Sequence, residues 1–191
     1  MTIGEVSYKL ENPFLVLATQ NPLEQEGTYP LPEAQMDRFM FKINVGYPTK
    51  ADELEIVNRM GRNEKPQIQA VITKEDLLRA SARIDQIYVD NKIKNYIVEI
   101  VMASRKPTEH GLSSIANLLA VGGSPRASIS LIRASKAHAF LRGRGYVTAE
   151  DIKAIAYSVL RHRLILTYEA AAENIKSDEI VKEILGSIEV P

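Results

Sequence analysis

Five consecutive apolar residues, Phe14-Leu15-Val16-Leu17-Ala18, stand between two turn signals, Asn12-Pro13 and Thr19-Gln20-Asn21-Pro22. A short continuous run bounded in this way predicts a strand buried on both faces, and such strands belong to parallel sheets covered by helices. Part of the chain is therefore expected in an α/β layer. Ahead of the run, Val6, Tyr8 and Leu10 alternate with polar neighbours, the period of a half-buried strand. After a Gly- and Pro-containing loop, Pro32–Arg38 reads as a short helical turn with proline at its first position. Phe39–Val45 then reads as a further apolar strand, stopped by Gly46-Tyr47-Pro48.

Beyond this point the period becomes helical. Thr49 with Asp52, Thr73 with Asp76 and Thr148 with Asp151 have the spacing of helix-opening caps. Behind them, Leu54, Val57 and Met60, then Leu77, Leu78 and Ile84, recur at three to four residues or multiples of that spacing. Ile93, Ile97, Ile100 and Val101 repeat the pattern. Ser124-Pro125 is an N-cap and first-position pair opening a helix to about Leu141, and Ser177 opens a last amphipathic one. The expected fold is mainly α with a small α/β remnant, divided into residues 1–72 and 73–191.

Lys+Arg and Asp+Glu both number 24, so the formal net charge is zero. A surface that coats nucleic acid needs a cationic excess to displace phosphate counterions, so no nucleic-acid partner is expected. The chain has no cysteine, which excludes disulfides, thiolate zinc sites and cysteine nucleophiles. No apolar run approaches the ~20 residues that cross a bilayer, so no membrane partner is expected. Glu5 and Lys9 interrupt what would be the apolar core of a signal peptide. The expected location is the cytoplasm.

Three polar residues stand where chemistry could occur. Asn21 follows the apolar run, and ligands of open α/β sheets gather at the carboxyl ends of strands. Its amide can orient a water and touch a phosphate oxygen, or Asn21-Pro22 can simply start a turn. Arg38 lies between a helical turn and an apolar segment, with its base fixed and its guanidinium free to reach a phosphoryl group in a neighbouring subunit. A local ion pair with Asp37 or Glu33 is the alternative. Arg126 falls at the second position of the helix opened by Ser124-Pro125, where the helix dipole disfavours a cation but free N–H groups favour an anion. It either completes an anion site or is solvated. His162, between Arg161 and Arg163, reads as a solvated helix end, and Arg142-Gly143-Arg144-Gly145 as a helix terminus.

Longer strings extend these readings. Residues 14–39 (FLVLATQNPLEQEGTYPLPEAQMDRF) and Gly46-Tyr47-Pro48 closely resemble the core of MoxR-family AAA+ ATPases. Ser124-Pro125-Arg126-Ala127, Tyr146–Ile152 and Leu160-Arg161-His162-Arg163-Leu164 resemble the lid domain of that family. The resemblance implies the C-terminal strands of a P-loop core over 1–72 and an all-helical lid bundle over 73–191. It implies Asn21 as first sensor, Arg38 as the arginine finger of the next subunit's site, and Arg126 as second sensor touching ATP in its own subunit. It further implies ATP and Mg²⁺ as cofactors, a ring, expected to be a hexamer, and partners with a von Willebrand factor A domain.

The departure is equally plain. A phosphate-holding loop requires Gly-x-x-x-x-Gly-Lys-Ser/Thr, and no Gly-Lys pair occurs in the chain. No acidic pair follows an apolar strand to hold Mg²⁺. The chain is therefore expected to be the C-terminal part of such an ATPase and inactive by itself. A helical interaction module without nucleotide chemistry, and a magnesium-chelatase or helicase subunit, are the alternatives.

Overall fold

A computed structural model describes residues 2–20, 31–61 and 67–191. The first elements are β1 (Thr2–Ile3), β2 (Val6–Ser7), α1 (Glu33–Met36), α2 (Lys50–Met60) and α3 (Lys74–Asp85). Next come α4 (Asn91–Arg105), α5 (Ser113–Ala116), β3 (Leu119–Val121) and α6 (Pro125–Leu141). The chain finishes with α7 (Ala149–Leu160), β4 (Ile165–Leu166), α8 (Tyr168–Ala172) and α9 (Ser177–Ser187). The mainly helical class expected from the sequence holds. Two compact units form, residues 1–20 with 44–82 and residues 21–43 with 83–191. The expected cut between residues 72 and 73 falls inside the first of these units.

In the first unit, β1 and β2 pair antiparallel, with Thr2 opposite Ser7 and Ile3 opposite Val6. Helix α2 opens as expected, the Asp52 amide donating to Thr49 Oγ1 at 3.3 Å while the Thr49 amide donates to Asp52 Oδ2 at 3.2 Å. Helix α3 opens on the same reciprocal pair, Thr73 and Asp76. The strand expected over Phe14–Ala18 is not formed. A strand buried on both faces needs a neighbour at each edge, and no described residue pairs with this run. Its side chains are accordingly uncovered, Leu15 at 76% and Leu17 at 84% exposure.

The second unit carries the core. Helices α4, α6, α7 and α9 pack on one another around Ile97, Ile100, Leu131, Ile152, Leu160 and Ile184, all buried. The spacing explains the faces: Ile93, Ile97 and Ile100 on α4, and Ile180, Val181, Ile184 and Leu185 on α9, each form one apolar stripe. The buried residues of α6 and α7 include alanines, Ala127, Ala134, Ala149 and Ala156, whose small side chains let the helices pack closely.

Asp151, fully buried, ties the α6–α7 connection together. It accepts the Thr148 amide at 2.8 Å and the Arg144 guanidinium on both oxygens, and its Oδ1 stands 2.6 Å from His138 Nδ1. Burial by itself would raise its pKa, but Arg144, the Thr148 amide and His138 together hold the carboxyl well below the usual carboxylate range. Gly143, in the left-handed region at φ 71°, closes α6 as the Gly-flanked arginines suggested.

The strand expected over Phe39–Val45 is also absent, for a different reason. The last carbonyls of a helix lack partners within it, and one of those of α7, that of Ser158, is taken by this segment. The Lys42 amide donates to the Ser158 carbonyl at 2.8 Å. His162 Nε2 donates to the Phe39 carbonyl at 3.1 Å. Backbone groups that a strand would offer to a ladder are thus spent on the end of a helix. His162, expected in solvent, is buried beneath this segment instead. Burial there lowers its pKa to about 4, the Phe39 carbonyl opposing the shift, Arg163 and Lys42 adding to it and Asp37 opposing it.

Among the described residues no helix is long and apolar enough to cross a membrane.

Two outcomes are expected. A Cβ at Gly122 would stand 2.8 Å from the Arg105 Cα and closer still to the Ser104 carbonyl. Gly122→Ala should therefore cost about 1–3 kcal/mol in urea unfolding by overpacking; an unchanged midpoint would show that the loop has room to move. His162 is neutral in the fold down to about pH 4 and accepts a proton near pH 6.5 when unfolded. Between these values the unfolded chain binds more protons, so stability is full above pH 6.5 and falls as pH drops towards 4. The urea midpoint measured across this window should slope downward on acidification, and His162→Gln should flatten the slope.

Candidate functional site

The contacts that bear on the candidate residues Arg38 and Arg126 lie around the start of α6. Gly122 lets the chain pass against the end of α4, where the Gly123 amide donates to Ser104 Oγ at 2.9 Å and Arg105 Nε donates to the Gly123 carbonyl at 2.6 Å. This fixes Ser124 as N-cap, with Pro125 at the first helical position. Ser124 Oγ accepts the Arg126 amide at 3.1 Å and donates to Asp37 Oδ2 at 2.9 Å. A carboxylate therefore occupies the positive end of a 17-residue helix, the favourable place for an anion. Asp37 reaches this helix end through the Ser124 hydroxyl. Arg126 Nε lies 4.0 Å from the same Asp37 oxygen, with its side chain 54% exposed. An exposed pair at that distance contributes about 0–1 kcal/mol, so Arg126 is weakly held.

Arg163 is the opposite case. Its side chain is 1% exposed. Burial lowers its pKa while the Asp37 carboxylate opposes the shift. Every side of the guanidinium is used. Nε donates to Asp37 Oδ1 at 3.0 Å. Nη2 donates to the carbonyls of Asp37 at 3.1 Å and Phe39 at 2.6 Å, and to Ser130 Oγ at 3.2 Å. Nη1 donates to the Met40 carbonyl at 3.2 Å and to the Val159 carbonyl. Segment 37–40 is folded around one buried cation.

Within this segment Arg38 differs from its neighbours. Asp37 and Phe39 are anchored, while the Arg38 side chain is exposed and makes no ion pair among the described residues. The local alternative read from the sequence, a pair with Asp37 or Glu33, is not made, because the Asp37 carboxylate is engaged by Ser124, Arg163 and Arg126. Asn21 lies outside the described residues. Arg126 thus lies beside Asp37, the residue that precedes Arg38 in the chain.

Sequence reasoning missed Arg163. It lies 126 residues from Asp37, at a helix end where an arginine is ordinarily solvated. Only its place in the Leu160–Leu164 string marked it. Among the described residues no three His, Cys, Asp or Glu side chains come together as a metal site. With no Gly-Lys pair in the sequence, the described residues do not fit a complete magnesium nucleotide.

Comparison with known proteins places this geometry. Residues 1–41 match the model of the ATPase family associated with various cellular activities (AAA), and residues 112–184 match the AAA lid domain. The chain is 44% identical over 191 residues to Chaperone MoxR1 of Mycobacterium tuberculosis, covering 100% of this chain and 50% of that protein. It is 40% identical over 192 residues to the uncharacterized protein YeaC of Bacillus subtilis, covering 100% of this chain and 57% of that protein. A crystal structure of a Cytophaga hutchinsonii protein, 48% identical, superposes with a TM-score of 0.94 over 100% of this chain and 58% of its own. Magnesium-chelatase subunits match more weakly, at 25–31% identity. The chain spans about half the length of these two curated relatives. Both family models and the whole-chain identity agree, and it is to the MoxR family of AAA+ ATPases that this chain belongs.

Proposed function

We propose that this chain supplies the sensing and triggering residues of an ATP-driven ring that remodels or activates partner proteins in the cytoplasm. In this reading residues 1–72 are the end of the nucleotide-binding core and residues 73–191 the lid. Arg126 reports on the nucleotide of its own subunit. Asn21 positions the attacking water there, and Arg38 serves the nucleotide of the next subunit. ATP and Mg²⁺ are held chiefly by a phosphate loop that these residues do not contain. A hexamer, and partners carrying a von Willebrand factor A domain, complete the proposal.

The observation that carries it is the state of Arg38. Its two neighbours are anchored, its natural local partner is bound elsewhere, and its guanidinium is exposed without an ion pair among the described residues. A cation on a fixed base, left unpaired, is suited to stabilise charge on a separate molecule, because no reorganisation is required at the moment of reaction. Arg126, weakly paired at a helix N-terminus, is similarly ready to exchange Asp37 for a phosphate.

Two expectations follow from this assignment. The 191-residue chain alone should release no phosphate from ATP above a protein-free blank; Mg²⁺-dependent release that co-elutes with the chain in gel filtration would contradict it. The second uses a chimera in which this chain replaces its matching half of the Mycobacterium tuberculosis relative. Arg38→Ala should leave ATP affinity unchanged and lower turnover by on the order of 10³-fold or more, the scale of arginine fingers supplied in trans. Mixing Arg38→Ala subunits with subunits lacking the phosphate-loop lysine should restore turnover at the mixed interfaces. Mixed rings confirmed by mass that stay inactive at every ratio would remove Arg38 from that role.

A further inference from the structure

Arg163 neither reaches solvent nor contacts any position expected to meet a nucleotide, yet it makes more hydrogen bonds than any other side chain at the start of α6. Its acceptors fall in a pattern. The Asp37 carbonyl belongs to the peptide bond directly before Arg38, and the Phe39 carbonyl to the peptide bond after the next residue. Both are held by the same Nη2. His162 adds a second donor to the Phe39 carbonyl, and the Lys42 amide closes the segment on Ser158. The peptide between Arg38 and Phe39 is held as well, the Phe39 amide donating to the Met36 carbonyl at 3.0 Å, so Arg163 pins the planes on either side of the Arg38–Phe39 pair and the Arg38 side chain extends from a fixed base.

Resting on the trans role of Arg38 given above, we propose that Arg163 is the positioning residue that aims it. The planar guanidinium is what the task requires. Its donors lie in a fixed fork, so one side chain can hold a carboxylate oxygen and three main-chain carbonyls of segment 37–40 in a set arrangement. A lysine in the same place would keep the charge but offer three rotatable donors from one atom, and the segment would lose its template. Asp37 has the complementary duty. It neutralises the buried cation and, through Ser124, fixes the segment to the beginning of α6.

The mixing experiment separates aiming from mere stability, because the two subunit types do different work. Donors lack the phosphate-loop lysine and supply Arg38; receivers carry Arg38→Ala and supply the working nucleotide site. Arg163→Lys placed in the donor should reduce restored turnover by roughly a hundredfold, the cost of about 1 Å of misplacement at a reacting group. The same substitution in the receiver reaches the working site only through Asp37 and the weakly held Arg126, and should lower restored turnover far less than it does in the donor. Equal losses from both sides, or no loss from either, would overturn the assignment. If the pair without any Arg163 change fails to restore turnover, the trans reading of Arg38 is what has failed, and the assignment falls with it. Should Arg163→Lys rings not assemble, Asp37→Asn in the donor takes its place, since it keeps the shape of the acceptor and removes its charge. Hydrogen exchange on the unsubstituted chain supplies a further check. The Lys42 amide should be protected like those of α7, and exchange at the rate of a free loop would overturn the proposal without any variant.

Discussion

A guanidinium removed from water must find an anion and fill its donors, or the fold cannot keep it buried. Arg163 meets that demand with material from four places: the Asp37 carboxylate, carbonyls of segment 37–40, Ser130 on α6 and the Val159 carbonyl on α7. The pair is not a simple source of stability, since desolvating both charges offsets much of their attraction. Removing one partner alone, however, costs about 3–5 kcal/mol because it strands the other. What the arrangement provides is definition. One side chain decides where segment 37–40 runs, that Asp37 reaches the α6 N-terminus, and that Arg38 is left facing outward. Nearly everything in the proposed function depends on that division of partners.

The two halves of the chain were legible to different degrees. Helices α2, α3, α4, α6, α7 and α9 were readable because their caps and apolar stripes are local, set by residues three or four apart. Asp52, Asp76 and Asp151 all cap as their spacing said. The strands were not readable in the same way. Phe14–Ala18 has a strand's composition, but a strand is completed by neighbours, and composition does not supply them. Phe39–Val45 was misread because its backbone groups are claimed by α7, a competition that no window of a few residues contains. His162 failed for the same reason, since the segment that buries it lies more than a hundred residues away.

The candidate site follows the same rule. Arg126 was placed correctly at the second position of its helix, because Ser124-Pro125 is a local signal. That the anion beside it would be Asp37 could not be derived from spacing. Arg38 gained its significance less from its own surroundings than from what occupies its neighbour. The family strings identified the general region, while the contacts that distinguish a held arginine from a free one came only with the fold. Membership of the MoxR family accounts for the kind of residues present. The hydrogen bonds around Arg163 account for their division of labour.

The separation of Asp37 from Arg163 also sets an order of events during synthesis. The ribosome adds roughly 5–20 residues per second, so the 126 residues between them take on the order of 6–25 s to appear. Throughout that interval segment 37–40 has been made but its template has not, and α7 must close before the carbonyls of Phe39 and Met40 have anywhere to bind. Loop closure over such a span is entropically costly and returns nothing until the last contact is made. The segment that emerges early is thus among the last to dock, and Arg38 remains unaimed on the nascent chain until the helices that follow it have packed.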